Sequence, residues 1–153
     1  MLKKINIQNK RAKYEYILLD KYLAGIVLTG SEIKSIRSSK ASISNSFCEF
    51  NNDNELFIIN MSIEEYDHGS NYNHKPKQSR KLLLNKNELK KLFKEVNKSG
   101  LTIIPLKLFI NENGYAKVQI CLAKGKKLYD KREAIKERDN KRNIDRIKKT
   151  FNK

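Results

Sequence analysis

Apolar positions along this chain fall mostly into short β-prone runs broken by polar, turn-forming clusters. Residues 14–30, YEYILLDKYLAGIVLTG, hold two such runs separated by Asp20 and Lys21, a spacing that predicts a hairpin. At its end Thr29-Gly30-Ser31-Glu32 has the form of a capping box, in which Thr29 and Glu32 satisfy each other's backbone N–H groups and start a helix. Ile33 and Ile36, with Lys34 and Arg37 beside them, make that helix short and amphipathic. SFCEF, NNDNE and LFIINMSI read as strand, turn and strand. Residues 67–79, DHGSNYNHKPKQS, carry no hydrophobic period and predict a long exposed loop, after which RKLLLN is another strand.

The strongest helical period lies in NKNELKKLFKEVNKSG, where Leu89, Leu92, Phe93 and Val96 share one face and Gly100 supplies a stop. LTIIPLKLFI and YAKVQICLA flank Asn111-Glu112-Asn113-Gly114, whose Asn-Gly step favours a tight hairpin. Pro105 inside the first of these runs points to an edge or a bulge. These strands and two short helices thus fill residues 10–123, with no βαβ rhythm. The fold class is mainly β with short α-helices: an antiparallel barrel followed by a tail. The domain boundaries are 1–123 for the barrel and 124–153 for the tail.

Charge changes this picture. The chain of 153 residues has 33 Lys and Arg against 17 Asp and Glu, a net +16 that selects polyanionic partners and says little about fold. The segment from Lys124 onward holds thirteen of the cations and five of the carboxylates, half of the excess, and too few large apolar side chains for a core. Glu137 with Lys141, and Asp145 with Lys149, are spaced for helical ion pairs. The tail is expected to be disordered alone and helical on a partner; fully helical from Lys126 it would reach about 42 Å at ~1.5 Å per residue. No run approaches the ~20 apolar residues of a spanning helix, and the N-terminus lacks the apolar core of a signal peptide. The expectation is a cytoplasmic protein with no membrane partner.

Candidate chemistry is sparse. GxSxG and HExxH are absent, and His68 and His74 sit in the long loop without other ligands at metal spacing. Both read as exposed polar residues, with contact to an RNA phosphate or base as the functional alternative. Glu64 and Glu65 point to opposite faces of a strand. AKGKK lacks the first glycine and the Ser or Thr of a phosphate loop. Cys48 and Cys121 read as buried thiols, Glu32 as a cap, and Tyr14, Tyr16 and Tyr22 as core residues or stacking platforms. No catalytic residue, metal or cofactor is expected. The cations in NKRAK (9–13), KSIRSSK (34–40, ending at Lys40), SRK (79–81) and the tail could form one surface, and structured RNA fits it better than duplex DNA because no recognition helix or zinc module is visible.

At AGIVLTGSEIKSIR (24–37) the sequence closely resembles the SmpB family, and NHKPKQSRKLLLNKNEL (73–89), GLTIIPLKLF (100–109) and LAKGKKLYDKRE (122–133) match further motifs of that family in order. The resemblance implies an OB-fold-like barrel with three helices. It also implies binding to the tRNA-like domain of transfer-messenger RNA, and delivery of that RNA to stalled ribosomes for trans-translation. The tail would sense an empty mRNA channel near the small-subunit decoding centre. Carried over by position, Asn9, Arg11, Lys34, Arg37, Lys40, His74, Arg80, Lys81, Lys124, Lys126 and Lys127 fall on the expected RNA side. Asp130, Lys131, Arg132, Arg138, Arg142, Arg146, Ile147 and Lys148 fall in the ribosome-contacting tail. The partners implied are transfer-messenger RNA and the ribosome, with no DNA, and the protein is expected to be a monomer. Tyr14, Leu23 and Gln78 depart from the pattern, where His, Glu and a basic residue are common. A ribosomal structural protein that binds RNA permanently would share the same charge and barrel.

Overall fold

A computed structural model describes residues 4–68, 73–98, 100–126, 138, 141 and 142. In chain order these form β1 (Asn6–Gln8), α1 (Ala12–Glu15), β2 (Tyr16–Ile26), α2 (Gly30–Arg37), β3 (Ala41–Ser42), β4 (Phe47–Phe50), β5 (Leu56–Ile59), β6 (Ser62–Ile63), β7 (Arg80–Leu83), α3 (Lys86–Lys98), β8 (Leu101–Ile110) and β9 (Ala116–Gly125). Strands β8, β4, β5, β7, β2 and β9 follow one another antiparallel, and β9 returns to β8, so the sheet closes on itself. Closure removes the exposed edges an open sheet would leave. β1 lies along the free stretch of β8, and β3 with β6 forms a separate two-stranded ladder.

The barrel interior is filled by one side of each strand. Ile58, Leu82, Ile103, Leu108, Val118 and Ile120 point inward and are nearly or fully shielded from water. Alternation along β9 is the clearest case, with Val118 and Ile120 inside and Lys117 and Gln119 less buried. α2 and α3 cap this core with Ile36 and Leu92. Phe93 leans edge-on against Phe50, with ring centroids 5.3 Å apart. A smaller cluster of Ala12, Ile104, Cys121 and Ala123 lies between α1 and the outside of the β8–β9 ladder. Cys48 and Cys121 are buried free thiols, as the sequence indicated, and burial raises the pKa of both.

Several sequence expectations hold. The capping box forms, with the Thr29 amide donating to Glu32 Oε1 at 3.0 Å. The Asn111–Gly114 turn closes β8 onto β9 with Gly114 at a φ of +84°, which glycine adopts without a side-chain clash. Pro105 sits at an irregularity where the β8–β9 register shifts between Pro105 and Lys107, as a residue without an N–H requires.

Others are corrected. Asp20 and Lys21 do not turn the chain: β2 is one continuous strand, and its pairing with β9 shifts between Leu18 and Lys21. β9 runs beside β2 on both sides of the shift, so the ladder continues past an irregularity that the polar pair disguised as a turn. Besides the helical Arg138, Lys141 and Arg142, the described residues form nine strands and three helices; β1, β3 and β6 are too short to show a period and α1 is a single turn. The expected boundary at residues 123 and 124 falls inside β9, where Lys124 pairs with both Ile17 and Leu101.

Candidate nucleic-acid interface

Two neighbouring residues of β7 take opposite roles. Arg80 points into the barrel end and is 2% exposed. Its Nε donates to Glu32 Oε2, Nη1 donates to the Met61 carbonyl at 2.9 Å, and Nη2 donates to the Pro76 carbonyl at 3.1 Å. Burial pushes the Glu32 carboxyl up, but the Thr29 amide, the Arg80 guanidinium and the Thr29 hydroxyl outweigh it and hold it below the usual range. Glu32 therefore does more than cap α2: it is the counter-ion that lets Arg80 tie α2, β7 and the loop before β7 together. The placement of Arg80 at an RNA-facing surface is corrected, since its donors are spent on the protein.

His74 is corrected in the same way. It is 6% exposed; its Nε2–H donates to the Ile63 carbonyl at 3.0 Å, and its Nδ1 is hydrogen-bonded to the Ser31 hydroxyl at 2.8 Å. The ring pins the long loop to α2. Asn73 closes the loop from the other side by donating to the Tyr66 carbonyl at 2.9 Å. His68, by contrast, is exposed and meets the Tyr66 ring edge-on.

Asn9 also works locally, its Nδ2 donating to the Pro105 carbonyl at 3.0 Å across the β8 irregularity. Arg11, Lys34, Arg37 and Lys124 are exposed. The Lys34 ammonium lies 5.4 Å from the Tyr66 ring centroid. Lys40 pairs with Asp67 and Lys81 with Glu55, both near the surface. Lys126 is partly spent, its Nζ donating to the Lys13 carbonyl at 2.9 Å. Arg138, Lys141 and Arg142 are helical, and the Arg138 guanidinium stacks 4.8 Å from the Tyr14 ring centroid. Lys127, Asp130, Lys131, Arg132, Arg146, Ile147 and Lys148 lie outside the described residues.

A surface that sequence reading overlooked lies on the outside of the barrel. Paired residues of antiparallel strands point to the same face, and the pairings Phe109 with Lys117, Lys117 with Gly25, and Gly25 with Leu83 make one row across β8, β9, β2 and β7. Leu23 joins it from the row below, opposite Gln119. Leu23 is 54% exposed, Val27 51% and Leu83 51%, an exposed apolar patch; Ile17 and Leu19 of β2, Phe93 and Tyr115 are exposed apolar or aromatic residues too. Gly25 keeps its floor open: a Cβ there would touch Leu83 Cβ at 3.5 Å and Lys117 Nζ at 3.6 Å. The odd-numbered phase of residues 23–27, set against buried Ala24, was the available signal. Among the described residues no cluster of His, Cys, Asp or Glu could hold a metal, and no helix is long and apolar enough to cross a membrane.

Fold and face together define a small antiparallel barrel whose candidate functional side chains are spread over a surface. The family profile described as SmpB protein matches residues 6–150. An SsrA-binding protein of Flavobacterium psychrophilum is 67% identical over 99% of this chain and 100% of its own length, and one of Christiangramia forsetii is 63% identical over 99% and 96%. A solved structure described as "tmRNA-SmpB: a journey to the center of the bacterial ribosome" is 45% identical and superposes with a TM-score of 0.69, covering 86% of this chain and 94% of that one. The chain belongs to the SmpB protein family.

Proposed function

We propose that this protein binds the tRNA-like domain of transfer-messenger RNA and delivers it to stalled ribosomes for trans-translation, acting as a cytoplasmic, monomeric adaptor with no catalysis of its own. The relatives named SsrA-binding proteins and the tmRNA-SmpB structure support the partner. The observation on this chain that carries the reading is the bare outer face. Leu23, Val27 and Leu83 offer an apolar platform beside Lys117, with Arg11, Lys34, Arg37 and Lys124 exposed elsewhere on the molecule. RNA recognition uses both elements: cations take the phosphates and release counterions, and apolar surface receives bases or riboses that leave the stack.

The tail is the second working part. Its charge attracts RNA generally, and its length, about 42 Å if helical, suits it to enter the vacant mRNA channel. Deleting residues from Asp130 onward spares most binding to the RNA and abolishes tagging on ribosomes stalled without a stop codon. Tagging that survives the truncation overturns the tail's role. Binding is tested with a tRNA-like fragment of transfer-messenger RNA against ordinary tRNA across a salt series. The fragment is expected to bind more tightly at every salt concentration; equal affinities overturn the proposal.

A further inference from the structure

The outer face does not end at Lys117. Phe109 continues its row, and beyond Phe109 the chain opens into a cleft of about 910 Å³ between the end of α2, the start of β1 and the β8–β9 turn. That volume falls in the ~300–1,000 Å³ range typical of small-ligand sites. Its charged groups are Lys4, Arg37 and Lys107 against the single carboxylate of Glu112. Among the described residues none of these three cations forms an ion pair with a carboxylate. Phe109 is half-buried in the wall, and the Lys107 ammonium stands 5.3 Å from its ring centroid. The Arg37 guanidinium reaches over the turn, 4.0 Å from where a Cβ on Gly114 would be.

We propose that this cleft holds an unpaired nucleotide of the RNA that occupies the outer face, its base against Phe109 and its phosphates between Arg37 and Lys107. The proposal rests on the RNA-binding function above and adds a second subsite to it. Three cations that form no ion pair among the described residues, set around an aromatic wall, match the two halves of a nucleotide, the anionic backbone and the flat base. A base inside a helical stack presents no free face to Phe109, so the occupant is single-stranded. One RNA can reach both places: Leu83 and Phe109 are three strand spacings apart, about 14 Å at ~4.8 Å each. The protein's own tail is a poor occupant, because its net positive charge is repelled by the cleft.

The test uses the full-length protein with two RNAs, the tRNA-like fragment and a single-stranded RNA hexamer. In a hexamer titration, amide NMR signals of Arg37 and of residues 107–114 shift and saturate. The double variant Arg37→Ala with Lys107→Ala weakens hexamer binding at least tenfold, and the slope of log affinity against log salt falls by about 0.7 for each cation that met a phosphate. The same variant weakens fragment binding severalfold. Phe109→Leu, which keeps the bulk but removes the ring, weakens the hexamer with little change in salt slope. Leu23→Asp, measured in parallel, reports on the outer face alone. If it weakens the fragment while the cleft variants bind both RNAs as the parent does, the cleft is overturned and the function stands. Hexamer shifts that map away from residues 107–114 overturn the cleft whether or not the double variant folds.

Discussion

The two sides of β7 show how one strand divides its labour. Arg80 and Leu82 face the interior, where a guanidinium is neutralised by Glu32 and a leucine is 1% exposed. Lys81 and Leu83 face out, where an ammonium pairs with Glu55 at the surface and a leucine is left half bare. The residue types are nearly the same on both sides; only the phase of the strand separates the buried pair from the exposed one. On this strand the charge of Arg80 marks a buried ion pair, and it is Leu83 that the proposed function places on the RNA face.

Substitutions along β7 test that division. Arg80→Ala has the largest effect, about 3–5 kcal/mol of unfolding free energy, since it leaves the Glu32 carboxylate buried without its partner; denaturant unfolding measures it. Leu82→Ala follows at roughly 2–5 kcal/mol, the usual loss for emptying a filled core site. Leu83→Asp reverses the pattern: stability stays within about 0.5 kcal/mol, while affinity for the tRNA-like fragment falls about tenfold, ~1.4 kcal/mol. Lys81→Ala is smallest, below about 1 kcal/mol in stability, because its ion pair is solvated.

Acid sharpens the same contrast. The Glu32 carboxyl is depressed in the folded protein, so its contribution is complete above the unfolded value of about 4.5 and is lost as pH falls through the folded one. Unfolding midpoints of the parent and Glu32→Gln, compared from pH 7 down to pH 3, should therefore differ most at neutral pH and converge below about 4.5. A gap that stays constant over that window removes Glu32 as the titrating group.

Elements marked by repeated local signals were legible in the sequence: α3 from four apolar residues on one face, α2 from its capping box, and the β8–β9 hairpin from Asn-Gly. The continuous β2 was not, because an irregularity and a turn both place polar residues between apolar runs, and only the position of β9 distinguishes them. Arg80 and His74 looked like surface residues because their counterparts, Glu32 and Ser31, lie more than forty positions away. Arg80 nevertheless shares the phase of Leu82 in RKLLL, so its inward direction could have been read. The cleft was out of reach, since Arg37, Lys107 and Gly114 come to line it only through tertiary packing.

Barrel closure also sets the timing of folding. β9 supplies the wall between β2 and β8, and its pairing with β2 joins residues about a hundred positions apart, such as Leu23 and Gln119. Contacts of that sequence separation make folding slow, since the intervening chain must be ordered before they form. On a translating ribosome the ring stays open until residue 125 has emerged, and until then β2 and β8 each lack a neighbour. The newly made protein thus spends most of its own synthesis with unpaired strand edges, a state prone to aggregation.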